Sequence, residues 1–148
     1  MDVVLLTGVS GFIAKHVALK LLNAGYSVCG TLRRMDRDDE VRAALAPYLT
    51  NHVGELSFVQ ADLESDAGWA DAFQGVTALV HTASPFPLTS PKDPASVIRP
   101  AVEGTERVLK AAAAAGVTRV VLTSSTVAVL NEQKFDTLQD EADWCDTH

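Results

Sequence analysis

Short runs of β-branched and other apolar residues alternate along this chain with longer stretches whose apolar positions recur at helical spacing. Five runs are predicted as strands, at residues 3–6, 27–32, 56–59, 78–81 and 119–123. Several are apolar on both faces, the pattern of a parallel sheet covered on both sides. Between them, Phe12, Ile13, Val17, Leu21 and Leu22 mark a helix from about residue 11 to 24, ended by Gly25. A second helix opens acidic at Asp38 and runs to about Leu49, and a third covers roughly residues 66–73. The fourth and longest begins at about Ala95 or Pro100 and runs to Ala115, stopped by Gly116. Its five consecutive alanines, residues 111–115, combine high helix propensity with a small face that suits close packing on a sheet. Strand–helix alternation of this regularity predicts an α/β fold: right-handed βαβ units building a doubly wound parallel sheet with helices on both faces.

Four prolines, Pro85, Pro87, Pro91 and Pro94, make the segment after the fourth strand an extended loop, at the sheet end where such folds bind ligands. After Leu130 the chain turns polar and acidic through Asp136, Asp140, Glu141, Asp143 and Asp146, and no terminal element is evident before His148. The 148 residues suit one domain, residues 1–148, and 47% hydrophobic against 21% charged residues excludes disorder and a disulfide-stapled mini-fold. A net charge of −7 without a basic run argues against nucleic acid or an anionic membrane surface as partner. The apolar run at residues 3–6 is too short to span a membrane and no secretory leader is evident, so the expected compartment is the cytoplasm.

The side chains that often carry chemistry are sparse. Cys29 and Cys145 are expected to be structural thiols, and His16, His52, His81 and His148 have no metal-ligand spacing, so no metal is predicted. His16 is expected on the surface or in packing, and Trp69 and Trp144 as core or edge anchors. His81, ending the fourth strand, is expected in the wall of the cleft with no proton-transfer role, while Phe86 and Pro87 either touch substrate or pack the loop.

The first strand runs into Thr7-Gly8-Val9-Ser10-Gly11-Phe12-Ile13-Ala14, a Gly-x-x-Gly-x-x-Ala loop opening a helix. In that strand–loop–helix context the bare backbone lets N–H groups approach a pyrophosphate at the helix N-terminus, which predicts a dinucleotide. A site for NAD(H) would place a carboxylate at the end of the second strand to bind ribose hydroxyls. Here that position carries Arg33 and Arg34, whose guanidinium groups pair with a 2′-phosphate, so NADP(H) is favoured over NAD(H), with Arg37 as a possible assistant. The alternative is a solvated basic pair offset by Asp36, Asp38 and Asp39. At the end of the third strand, Asp62 has two open roles, accepting from an adenine amino group beside Leu63 or capping the next helix.

Together with that loop and Asp62-Leu63, the chain carries His81-Thr82-Ala83-Ser84-Pro85-Phe86, Ile98-Arg99-Pro100-Ala101-Val102-Glu103-Gly104-Thr105 and Val120-Val121-Leu122-Thr123-Ser124-Ser125. With these five motifs in order it resembles the extended short-chain dehydrogenase/reductases of the epimerase/dehydratase superfamily, in the branch of dihydroflavonol 4-reductases and cinnamoyl-CoA reductases. The resemblance implies a Rossmann-like sheet in which Gly8, Gly11, Phe12 and Ile13 hold the pyrophosphate, Arg33 meets the 2′-phosphate, and Asp62 and Leu63 flank the adenine. It also implies that Thr82, Ala83 and Ser84 line the route to the nicotinamide ribose, that Ser125 hydrogen-bonds a substrate carbonyl, and that Thr123 and Ser124 sit closer to the cofactor. From spacing alone, residues 123–126 equally suit a polar strand end capping a turn.

The implied activity is reduction of a ketone or aldehyde to an alcohol by hydride transfer. The alternatives are an NDP-sugar epimerase or dehydratase and a non-catalytic NADP(H)-binding sensor. Two features depart from the family pattern. Many extended members carry Asn-Val-x-Gly-Thr where this chain has Ala101-Val102-Glu103-Gly104-Thr105. The Tyr-x-x-x-Lys pair that donates the proton is absent, since the residues four past Tyr26 and Tyr48 are Gly30 and His52. The expectation is a reductase whose last strands and substrate domain lie beyond these residues, which by themselves are inactive. A homodimer through the fourth helix is a further expectation, although the same alanine face suits helix–sheet packing.

Overall fold

A computed structural model describes residues 2–50, 54–85, 93–130 and 136–145. Five parallel strands form one sheet: β1 (Val3–Thr7), β2 (Ser27–Leu32), β3 (Leu56–Gln60), β4 (Ala78–His81) and β5 (Arg119–Leu122), in the order β3-β2-β1-β4-β5. The chain builds outward from β1 to β3, then crosses back to lay β4 on the other side of β1. The connections leaving β1 and β4 therefore diverge, and a crevice opens at the carboxyl ends of these two strands.

Each face of the sheet has its own core, because side chains alternate along a strand. On one face Leu6, Val28 and Leu32 pack with Ala14, Ala18 and Leu22 of α1 (Phe12–Asn23) and Val41 and Leu45 of α2 (Asp38–Leu45). On the other, Leu5 and Leu79 pack with Trp69, Ala72 and Phe73 around α3 (Trp69–Ala72) and with Val108 and Ala112 of α4 (Ala95–Ala114). Leu5, Leu6 and Leu79 are fully buried, each contributing about 1.5–3 kcal/mol over an exposed position. The predicted Rossmann-like, doubly wound α/β architecture is the one observed.

Element ends differ from the sequence expectations for local reasons. α2 stops at Leu45 rather than Leu49 because Ala46-Pro47-Tyr48 tightens into a 3₁₀ turn, where Pro47 has no N–H to continue the ladder. α3 is a single turn starting at Trp69 rather than Asp66: Gly68, at φ 85°, precedes it in the left-handed region, with its own α-carbon so close to Gln60 O that a Cβ would lie 2.1 Å from that oxygen. α4 begins at Ala95 and carries Pro100 inside. Among the described residues β5 is the last strand in the order and pairs with β4, and Val120, Val121 and Leu122 are 39–61% exposed. Trp69 is a core residue as expected, but Trp144 is 66% exposed and anchors no core. His16 is exposed and meets Phe12 edge-on at 4.8 Å. His52, Phe86, Pro87, Pro91, Asp146 and His148 lie outside the described residues.

Gly30 lies in β2 directly beneath the loop that follows β1, and a Cβ there would come within 2.5 Å of a Val9 methyl. Gly30→Ala is expected to lower the free energy of unfolding by about 1–3 kcal/mol through overpacking, read as a lower urea midpoint at unchanged slope.

Candidate functional site

Residues 8–11 turn sharply out of β1. Gly8 adopts φ +68°, and a Cβ on it would sit 3.0 Å from Ala83 Cβ, so the position suits glycine both for its conformation and for the approach of the segment that follows β4. Thr31 holds the loop from β2: its hydroxyl accepts from Gly8 N at 3.0 Å and its carbonyl from Val9 N at 3.2 Å. Gly11 N donates to Gly8 O at 2.9 Å and then begins α1. No side chain caps that helix and no acid lies in its first turn, leaving its leading N–H groups and the positive end of the helix dipole for an anion. Phe12 and Ile13 are 77% and 59% exposed, so what they offer an anion is backbone N–H, not side chain.

The other wall is stitched to the loop through Thr7. Its buried hydroxyl contacts His81 Nδ1 at 2.7 Å and accepts from Thr82 N and Ala83 N, each at 3.1 Å. Thr82 Oγ1 in turn donates to Thr7 O at 2.7 Å. His81 is 2% exposed and lies beneath the cleft rather than in its wall, correcting the sequence expectation. Burial pushes its pKa below the usual imidazole range.

A cleft of about 1070 Å³ spans the carboxyl ends of the strands. Of the sequence-predicted residues it brings together Gly8, Gly11, Arg33, Arg34, Asp62, Leu63, Thr82, Ala83 and Ser84. Arg33 and Arg34 are exposed just past β2, Arg34 pairing with Asp36 at 3.3 Å. Arg37 joins them, with Nη1 donating to Ser10 Oγ at 3.3 Å, so a guanidinium reaches the phosphate loop itself. Glu40 accepts from both Arg37 and Lys15 at 2.7 Å, and these two cations hold its carboxyl below the usual range. Three guanidinium groups thus share one end of the cleft.

Asp62 caps no helix. Its Oδ1 accepts from Glu64 N at 3.1 Å in a local turn, and its carbonyl accepts from Trp69 Nε1 at 3.1 Å. Leu63 is set by α4: a Cβ on Gly104 would lie 2.9 Å from Leu63 Cβ, and Arg107 bonds Leu63 O and Asp66. That contact gives the glycine of the Ala-Val-Glu-Gly-Thr segment a packing reason.

Thr123, Ser124 and Ser125 leave β5 on the exposed side and do not line the cleft. Thr123 N donates to His81 O at 3.0 Å, while Ser125 Oγ accepts from Val127 N at 3.2 Å and caps a 3₁₀ turn over Thr126–Ala128. Sequence reasoning missed Thr7, Thr31 and Ser10, and also Ser96, Val97 and Pro100, which bring the start of α4 to the cleft. For Thr7 a signal existed, a hydroxyl at a strand end beside a glycine turn, whereas Thr31 lies inside β2 with no such signal. Thr31→Val is expected to cost about 1 kcal/mol of stability by stranding the Gly8 amide, and to raise the hydrogen-exchange rate of that amide.

The sequence profile of the NAD dependent epimerase/dehydratase family matches residues 4–144. The chain is 37% identical over 145 residues to a dihydroflavonol 4-reductase of Zea mays, covering 97% of this chain and 40% of that one. It is 40% identical over 147 residues to cinnamoyl-CoA reductase 1 of Petunia hybrida, covering 98% and 42%. Among solved structures, yeast methylglyoxal/isovaleraldehyde reductase complexed with NADPH superposes with a TM-score of 0.82 at 27% identity, covering 99% of this chain and 44% of that one. The chain thus spans about two fifths of the length of the curated relatives it matches. Among the described residues, no helix is long and apolar enough to cross a membrane.

Proposed function

This chain belongs to the NAD dependent epimerase/dehydratase family, and from that premise we propose that its 148 residues form the NADP(H)-binding domain of a reductase that converts a ketone or aldehyde to an alcohol. The observation that carries this reading is the meeting of Arg33, Arg34 and Arg37 with the glycine loop in one cleft. A carboxylate at the end of β2 would repel a 2′-phosphate, whereas guanidinium groups pair with its oxygens in bidentate fashion. The reductase names of the relatives, and the NADPH held by the yeast structure, support the same choice.

The residues present fit such a cofactor. The approach of Ala83 to Gly8 and the uncapped start of α1 make a concave backbone surface, with Gly8 and Gly11 and the N–H groups of Phe12 and Ile13 to hold a pyrophosphate. Arg33 and Arg34 would take the 2′-phosphate, Asp62 and Leu63 the adenine, and Thr82, Ala83 and Ser84 the ribose next to the nicotinamide. Outside that lining, at the end of β5 beside His81, Thr123 and Ser124 would lie toward the cofactor, and Ser125, which accepts from Val127 N, keeps its hydroxyl proton to donate to a substrate carbonyl. When bound, the nicotinamide supplies the hydride.

The proton has no donor of the family's kind within these residues. Tyr26 precedes β2, at the sheet end opposite the cleft, and neither Tyr26 nor Tyr48 is followed by lysine four residues on. Lack of a general acid costs about 10²–10⁴ in rate. The 148-residue chain is therefore expected to bind NADPH more tightly than NADH and to reduce no ketone or aldehyde at a measurable rate. Arg33→Ala should weaken NADPH about tenfold in a fluorescence titration and leave NADH unchanged, the loss expected for one charge-assisted contact at an exposed site. Equal effects on both cofactors would overturn the 2′-phosphate assignment, and carbonyl turnover by the chain would overturn its inactivity.

A further inference from the structure

The hydrogen bonds of Thr7 determine more about His81 than its burial does. A hydroxyl has two lone pairs and one proton. Thr7 Oγ1 spends both lone pairs on Thr82 N and Ala83 N, so toward His81 Nδ1 it can only donate. Nδ1 must then be unprotonated, and a neutral ring carries its proton on Nε2, a buried atom with no hydrogen-bond partner among the described residues. We propose that His81 is a positioning residue for the cofactor cradle: as a neutral acceptor it fixes the Thr7 hydroxyl, which in turn clamps Thr82 and Ala83 against Gly8. This rests on the cofactor reading above.

The clamp has a built-in sensitivity to acid. A second proton on the imidazole would have to enter at Nδ1, facing the Thr7 proton. Thr7 would then have to accept three hydrogen bonds with two lone pairs, so one of the two amide bonds breaks. Among the described residues no charged side chain offsets this, and Asp71, the acid of α3, is exposed. β1 and β4 carry no titratable side chain besides His81, and β5 has only Arg119, at its far end and paired with Asp2 at 3.3 Å. His81 lies on the α4 face, two residues past Leu79. Of the charged residues on α4, Arg99, Glu103, Glu106 and Lys110 are exposed and Arg107 turns to Leu63 O and Asp66. Burial alone sets the direction, lowering the pKa from 6.5. The sign follows: an opened clamp takes up a proton below about 6.5 while the closed clamp does not, so closure is fully favoured above that pH and weakens as pH falls below it.

The test compares the wild-type chain with His81→Asn, whose side-chain oxygen can accept from Thr7 without titrating, and His81→Leu, which cannot accept. NADP⁺ affinity is measured by calorimetry at about pH 7.5 and about pH 5.5, where the 2′-phosphate titrates equally in all three and cancels in the ratios. His81→Asn should bind within about twofold of wild type at the higher pH and lose several-fold less than wild type on acidification, whereas His81→Leu should bind about fivefold to tenfold more weakly at pH 7.5, the loss expected for one hydrogen bond. Identical pH dependence in wild type and His81→Asn, or unimpaired binding by His81→Leu, would overturn the proposal. Should His81→Leu fail to fold, the wild-type chain suffices: protection of the Thr82 and Ala83 amides against hydrogen exchange should fall below about pH 6.5 while that of Leu5 and Leu79 holds, and unchanged protection overturns the clamp. Absence of NADP⁺ binding by wild type at either pH would overturn the cofactor reading, and the amide measurement then decides the clamp separately.

Discussion

The hydroxyl of Thr7 makes three hydrogen bonds inside the sheet, and the depth of the cleft depends on them. Parallel strands β1 and β4 are registered along their length, with Thr7 beside His81, but the backbone past them has no ladder to hold it. The side chain of Thr7 does that work by satisfying two amides that would otherwise be left unpaired at the bottom of a crevice. The close approach of Ala83 to Gly8 follows, and a β-carbon on Gly8 would push the two walls apart. A second threonine, Thr31, repeats the device on the β2 side, so the phosphate loop is fixed from two neighbouring strands by hydroxyls rather than by its own turn alone.

Charge is distributed unevenly over an acidic chain. A net charge of −7 coexists with three guanidinium groups at one end of the cleft. Glu40 does not cancel them. It sits between Lys15 and Arg37 and holds Arg37 by Nε and Nη2, leaving Nη1 directed at Ser10 of the loop. Nearby aspartates behave differently, since Asp36 pairs with exposed Arg34 while Asp62 turns back on its own backbone. The electrostatics at the cleft thus come from a few residues at the end of β2, and net charge says nothing about them.

The parts legible in the sequence were those written in local pattern. Alternation of apolar runs specified the strands and two-sided core, since a one-residue offset between Leu5 and Leu6 sends side chains to opposite faces whatever the rest of the chain does. The Gly-x-x-Gly-x-x-Ala spacing specified a loop that could leave β1 and start a helix, and the absence of a carboxylate after β2 could be read directly. The short α3 was misjudged because Gly68 is needed for a contact with Gln60 O on another element, and such a clash is invisible along the chain.

By itself, then, the sequence determined the fold class, the phosphate loop and the basic end of β2, because each depends on residues close together in the chain and on periodicities that backbone geometry imposes. Only the tertiary structure decided that His81 lies beneath the cleft, that Thr7 and Thr31 hold its walls, that Gly104 makes room for Leu63, and that Ser125 caps a turn outside the cleft lining. Three of these depend on contacts between residues 23 to 76 positions apart, and Ser125's place depends on where β5 releases the chain. Hydrogen bonds of that kind are set by the register of parallel strands, which crossover connections bring together and no local pattern encodes.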